Sequence, residues 1–256
     1  GFVPEVNDSA VVNYLSFQYN PLQETFFKDV YKLLPGYFLK MDVKTGEVNI
    51  KKYWSFEFEQ SAISDQKVFA VIKETMKNSV SHHMIADVPV GSFLSGGIDS
   101  SIIASLMQDI RGDKKIKTFT VGFDTLTEGE EAKETSSVLK TDHTEIKIGG
   151  KEYFEALPKV VYHFDEPVAD PSAVGLYFLA REAKKSVKVV LSGEGADELF
   201  GGYNIYLAPI ASQKMAWLPK WILKTFLSLP FEYFGKNYLR RVNSKLEDWY
   251  IGNASV

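Results

Sequence analysis

The segment that most restricts the fold of this chain runs from Val187 to Tyr203. A β-branched run, Val187-Lys188-Val189-Val190-Leu191, breaks into Ser192-Gly193-Glu194-Gly195, and Ala196-Asp197-Glu198-Leu199-Phe200 then reads as a helix start before Gly201-Gly202-Tyr203. Two carboxylates, Glu194 and Asp197, are thereby delivered at the C-terminal end of a strand. The same grammar occurs upstream: Val88-Pro89-Val90-Gly91-Ser92-Phe93-Leu94 runs into Ser95-Gly96-Gly97-Ile98-Asp99-Ser100 and an apolar helix around Ile102 to Met107. Strand-turn-helix units of this kind build open α/β sheets, which bind ligands beyond the C-terminal ends of their strands.

Between the two turns, strand and helix patterns alternate. Strands are expected at Lys117–Phe123 and Thr144–Ile148, and helices from Ser64 to about Met84, from Glu130 to Lys140, from Gly150 to His163 and from Ser172 to Lys185. The fold class expected is α/β, a doubly wound parallel sheet with flanking helices. In the order 3-2-1-4 the first and fourth strands are neighbours, so both turns face one crevice. Upstream, Asp8 or Ser9 can cap a helix reaching about Tyr19, and Lys44-Thr45-Gly46-Glu47 joins two strands into a hairpin. Residues 1–60 are therefore assigned to an N-terminal extension, 61–256 to the main domain, with a helical C-terminal segment.

With 256 residues and a net charge of −4, the chain can bury one large core but has no basic field for nucleic acid, so a small anionic ligand must be held locally. It contains no cysteine, which excludes a thiol nucleophile and a disulfide framework within these residues and is compatible with a cytoplasmic location. The apolar stretch holding Trp217, Trp221, Phe226 and Phe231 is interrupted by Pro219, Lys220, Lys224 and Pro230, well short of the roughly 20 residues of a membrane span. Buried helical packing or a docking face for a missing segment are its two readings. The opening residues, Gly1-Phe2-Val3-Pro4, carry no leader pattern and read as the middle of a longer protein. His82 and His83 lack a further ligand at metal-binding spacing, and His143 before a strand reads as a structural hydrogen-bonding residue.

The Ser95 turn supplies close-packed amides and a helix N-terminus, both suited to phosphate oxygens. It has no lysine, unlike the Gly-x-x-x-x-Gly-Lys-Ser/Thr loop, and a plain tight turn is the alternative. Asp99 and Asp197 would repel phosphate by themselves. Magnesium, which accepts a few carboxylates and completes its shell with phosphate oxygens and water, removes the conflict; helix capping by one of them is the competing reading.

These residues also carry a resemblance. Ser95-Gly96-Gly97-Ile98-Asp99-Ser100 resembles the pyrophosphate loop of the N-type ATP pyrophosphatases. The segment from Ser192 to Tyr203 is similar to the synthetase domain of the glutamine-hydrolysing asparagine synthetases, as are Leu34-Pro35-Gly36-Tyr37 and Asp165-Glu166-Pro167. The resemblance implies the adenine nucleotide α-hydrolase-like fold and a ligase that uses ATP and Mg2+ to convert aspartate to β-aspartyl-AMP with release of pyrophosphate. Ammonia from a glutaminase domain then displaces AMP. By position it implies that Leu94 and Val121 hold the adenine, that Ser95, Gly96, Gly97, Asp99 and Ser100 hold the phosphates, and that Ser192 and Gly193 lie near AMP. It further places Asp99 and Asp197 on magnesium pyrophosphate and makes Glu194 the catalytic residue that matters for the intermediate, as a base for the incoming ammonium, for which bracing of the turn is the alternative. A cytoplasmic enzyme is implied, with a homodimer as candidate assembly.

Two departures stand against the pattern. Val168-Ala169-Asp170-Pro171-Ser172 replaces the paired threonines and arginine that some members use for aspartate, and the family's N-terminal cysteine nucleophile and the end of its synthetase domain are missing. The isolated 256-residue chain is accordingly expected to be inactive. The alternatives are a ligase of the β-lactam synthetase kind, which adenylates another carboxylate, and a nucleotide-binding module without turnover.

Overall fold

The structure is a computed structural model that describes residues 3–59, 63–123, 128–167, 169–207, 217, 219–229, 236, 239 and 242. Its centre is a four-stranded sheet, β3 (Val90–Phe93), β4 (Lys117–Phe123), β5 (Asp142–Ile148) and β6 (Val189–Leu191). All of its pairings are parallel and the spatial order is β5-β4-β3-β6. This is the expected 3-2-1-4 order: the chain winds outward from β3 through β4 to β5 and then returns to the other side of β3. The direction reverses between β3 and β6, where Val90, Gly91 and Ser92 stand opposite Val189, Val190 and Leu191.

Pro89 has no N–H to give to a ladder, and the first strand of this sheet starts only after it. Its carbonyl still accepts the Lys188 N–H at 3.1 Å, just ahead of β6. β4 spans the expected residues. Along it the side chains alternate, so Phe119, Val121 and Phe123 share one face while Thr118 and Thr120 point to the other.

The intervening helices are α2 (Asp65–His83), α3 (Ile98–Arg111), α4 (Glu128–Leu139), α5 (Gly150–Phe164) and α6 (Ser172–Ala183). Val80 and Met84 at the end of α2, Ala104 and Met107 of α3 and Ala132 of α4 pack with Val90, Leu94 and Ile116. Ala156 and Val160 of α5 and Ala173, Val174 and Phe178 of α6 pack with Ile148, against Val121 and Phe123. Phe119, Ala183 and Val187 close the space between them, beside Phe93 and Leu179. Burying a side chain the size of Leu94 or Met107, at 1% and 0% exposure, stabilises by about 1.5–3 kcal/mol relative to leaving it in water.

Outside the sheet lie α1 (Asp8–Phe17), the antiparallel hairpin β1 (Tyr37–Met41) and β2 (Val48–Lys52), α7 (Ala196–Phe200), a 3-10 turn at Asn204–Tyr206 and α8 (Lys220–Leu227). The cap of α1 differs from the expected Asp8 or Ser9. Asn7 occupies the cap position but makes no side-chain cap bond, and its Nδ2 donates to the Thr25 carbonyl at 3.0 Å. The N-terminal residues touch the main domain through Lys32, whose Nζ lies 2.8 Å from Glu166 Oε1. Among the described residues no helix is long and apolar enough to cross a membrane.

Candidate active site

Both glycine turns emerge from neighbouring strands at the same end of the sheet, and each has a local reason for its shape. Leu94 extends the β3–β4 ladder by one residue, its N–H donating to the Phe119 carbonyl at 2.9 Å. Gly96 then turns with φ +83°, and a methyl group there would lie 2.7 Å from Glu131 Cβ and 2.8 Å from Ala132 N, so only glycine lets the loop rest on α4. Two hydroxyls stitch the loop closed. Ser100 Oγ accepts the Ser95 N–H at 3.1 Å and lies 2.9 Å from Ser95 Oγ, while Ser95 Oγ accepts the Gly97 N–H at 3.3 Å. Gly97 caps α3 without a side chain, so no side-chain cap occupies the first amides of that helix.

The Ser192 turn is bonded more sparsely. Glu194 is exposed, with its N–H 3.5 Å from Ser192 Oγ, and Gly195 takes φ +88° to start α7. Its decisive contact is with the other turn: a methyl group on Gly193 would sit 2.8 Å from both Asp99 Cβ and Ser100 N. The absence of a side chain at Gly193 therefore lets one turn lie against the first residues of α3.

Together the turns form the end wall of an open cleft of about 650 Å³. Of the residues singled out in the sequence, Leu94, Ser95, Asp99, Ser100, Val121, Ser192, Gly193, Glu194 and Asp197 line it, whereas Gly96 and Gly97 shape the loop without lining it. Leu94 is all but buried, and Val121 shares its strand face with the apolar wall made by Phe119 and Phe123. Five carboxylates border the cleft: those of Asp99, Asp170, Glu194, Asp197 and Glu198. No lysine or arginine does so among the described residues. A polyphosphate entering such a cleft meets repulsion unless a cation accompanies it.

The donor set suits magnesium, a hard ion that takes oxygen ligands and commonly shares one or two protein carboxylates with substrate phosphates. No cluster of three or more potential metal-ligating side chains occurs among the described residues, so a self-sufficient metal cage is not what the cleft offers. Asp99 and Asp197 are the half-buried members of the five, while Asp170, Glu194 and Glu198 are exposed.

Several lining residues escaped the sequence reading. Phe164, Leu176 and Leu179 enter from α5 and α6, and only the three-residue spacing of the two leucines hinted at a common face. Asp170 Oδ1 accepts from the Ser172 N–H at 2.9 Å and from Ser172 Oγ at 2.6 Å, fixing the entry to α6. Tyr203 donates its hydroxyl to Glu198 Oε1 at 2.9 Å. That bond, together with the nearby carboxylate charges of Glu198 and Asp197, pushes the phenol up to about 12. Of the acceptor segment noted above, Val168 lies outside the described residues.

The histidines stay away from this chemistry. His82 and His83 each place Nδ1 2.8 Å from the carbonyl four residues back on α2, those of Asn78 and Ser79. His143 lies on β5 with Nδ1 2.9 Å from Thr118 Oγ1, and burial holds its imidazole below the usual value. Near the other end of the chain Trp217, Trp221 and Phe226 are exposed, and Phe231 lies outside the described residues.

Both turns lie within the part of the chain that matches a known family. Residues 71–252 match the family model described as Asparagine synthase. The chain is 42% identical to asparagine synthetase (glutamine-hydrolyzing) 1 of Bacillus subtilis over 98% of its own length, and spans about 40% of that protein. It is 32% identical to Amidase chyE of Penicillium rubens over 74% of its length, covering 31% of that protein. Among solved structures, NMN synthetase from Francisella tularensis aligns over 56% of this chain and 60% of that one at 19% identity and a TM-score of 0.37, a likeness too distant to build on. With most of its length inside one family model and near-complete coverage by a relative of the same name, this chain belongs to the asparagine synthase family.

Proposed function

We propose that this chain carries the synthetase site of a glutamine-hydrolysing asparagine synthetase, with residues 61–256 as that domain and 1–60 leading into it from a glutaminase domain. The reading rests on one observation: Gly193 lies against Asp99 and Ser100, which brings both turns to one cleft. In the reaction, a side-chain carboxylate oxygen of aspartate attacks the α-phosphorus of ATP, the bond to the bridging oxygen breaks, and pyrophosphate leaves. Ammonia then adds to the acyl carbon of β-aspartyl-AMP, loses a proton, and expels AMP to give asparagine.

The chain's own groups divide these steps. The amides of the Ser95 loop and the uncapped start of α3 receive the β- and γ-phosphates, with Ser95, Gly96, Gly97 and Ser100 giving that loop its form. Leu94 and Val121 hold the adenine beside the apolar wall, and Ser192 with Gly193 borders the AMP moiety. Asp99 and Asp197 would hold Mg2+, which neutralises the charge of the leaving pyrophosphate when bound. Glu194, exposed at the cleft, takes the proton from the attacking nitrogen. The proposed setting is a cytoplasmic homodimer supplied with ammonia from glutamine.

ATP–pyrophosphate exchange over a panel of carboxylic acids, using a protein that carries this chain together with its glutaminase domain, tests the reading. Exchange dependent on aspartate is the expected result. Exchange with a different acceptor alone, as a β-lactam synthetase-like ligase would give, contradicts the substrate. ATP binding without exchange contradicts catalysis.

A further inference from the structure

Asp197 lies in the first turn of α7 and lines the cleft, yet no side-chain hydrogen bond holds its carboxylate among the described residues. A carboxylate left free to rotate is a poor anchor for an ion, because side-chain ordering costs entropy when the ion binds. What surrounds it is the return of its own loop. The Gly202 N–H donates to the Asp197 carbonyl at 3.0 Å, closing the end of α7, and the carboxylate occupies the place where a Gly202 side chain would begin. A methyl group at Gly202 would overlap Asp197 Oδ1 and come within 3.0 Å of its Cγ, but would meet the Asp197 backbone only at 3.3 Å. Gly202 does not adopt a left-handed conformation, so alanine is compatible with its backbone. Beyond it, the bond from Tyr203 to Glu198 clamps the loop in place at 2.9 Å.

We propose that Gly202 is a positioning residue for Asp197, and that its missing side chain is the space in which the Asp197 carboxylate rests while aimed at the cleft. This separates Gly202 from the other glycines of the segment. A methyl group at Gly193 would strike the backbone of α3, and one at Gly195 would meet nothing within 4 Å. At Gly202 the obstructed atom is the far end of a side chain that can swing away, so substitution redirects the carboxylate and spares the fold. The proposal rests on the assignment of Asp197 to magnesium, and the test keeps the two apart.

The test is calorimetric titration of pyrophosphate into the complete protein that carries this chain, at several magnesium concentrations, for wild type, G202A, D197A and the double variant, with thermal melts of each. Losing a group that orients a metal ligand commonly costs about 10–100-fold in affinity, and that loss of magnesium-dependent pyrophosphate binding is expected for G202A. In the D197A background the same change should cost less than about twofold, because the methyl group then has no carboxylate to displace. Wild-type binding in G202A, with D197A weakened, overturns the positioning role alone. Unchanged binding in D197A overturns the magnesium assignment and the positioning role with it. Should G202A melt early, a double variant with the wild-type midpoint still places the cost on that single contact, and a double variant melting equally early overturns the proposal.

Discussion

The two turns share a strand-turn-helix plan and differ in how they are held. The Ser95 turn is tied to itself through the Ser95 and Ser100 hydroxyls, rests on α4 through Gly96, and opens a helix of 14 residues whose first amides lack a side-chain cap. The Ser192 turn has one long side-chain bond, from the Glu194 N–H to Ser192 Oγ, and one backbone bond, from the Ala196 N–H to the Gly193 carbonyl at 3.3 Å, and opens a helix of five residues. One is a stiff cradle of backbone donors. The other is a lightly braced carrier of carboxylates, and it takes its position from the first through Gly193. Rigid backbone donors suit the binding of charge that is always present, whereas proton transfer asks for a group whose direction can follow the reacting atom.

Alanine at the glycines of the two turns would expose that difference most strongly. Gly96→Ala combines a left-handed backbone with a backbone collision, terms of about 1–3 kcal/mol each, so a loss of about 2–6 kcal/mol is expected in urea unfolding. Glu194→Gln should leave stability alone and suppress asparagine formation by about 10²–10⁴-fold in the complete enzyme, while aspartate-dependent pyrophosphate release survives better. Equal loss of both products would move Glu194 to the adenylation step, and near-normal rates would reduce it to bracing the turn. Gly193→Ala meets backbone at 2.8 Å and should cost about 1–3 kcal/mol together with ATP binding, since it pushes the turns apart. Gly195→Ala meets nothing and carries only the left-handed strain, about 1–2 kcal/mol. If Gly195→Ala proved more damaging than Gly96→Ala, the contrast between cradle and carrier would fail.

Much of this arrangement was legible in the residues. The β4 segment, with its β-branched and aromatic residues, has the bounds that its pattern predicts, and the alternation of strands with helices of ten or more residues fixed a parallel sheet. Adjacency of the turns followed from the doubly wound order. What stayed hidden depends on tertiary approach. Phe164, Leu176 and Leu179 look like ordinary core residues until α5 and α6 pack against β4 and leave a wall facing the cleft. The bond from Tyr203 to Glu198 spans five residues across two glycines, a reach no helical spacing suggests. Asn7 stands at the cap of α1 without a cap bond, and its amide is tied to Thr25, a partner 18 residues away.

The smallest effect is expected away from both turns. Burial holds His143 below its ordinary value of 6.5, opposed more weakly by the charge of Glu145. The unfolded chain therefore takes up a proton before the folded one does. The stability this contributes is present above about pH 6.5 and is lost as pH falls through the lower folded value. The urea midpoint should decline below pH 6.5 more steeply in wild type than in His143→Gln, with no change in ATP binding at pH 8.

The most direct test of the shared site is aspartate-dependent ATP–pyrophosphate exchange in the complete enzyme carrying Asp99→Ala, Asp197→Ala or both. Groups that serve one ion and one leaving group act as a unit, so each single change should abolish most of the exchange and the double should lose little more than the worse single. Independent, multiplying losses, or full exchange in either single variant, would contradict a site assembled from both turns.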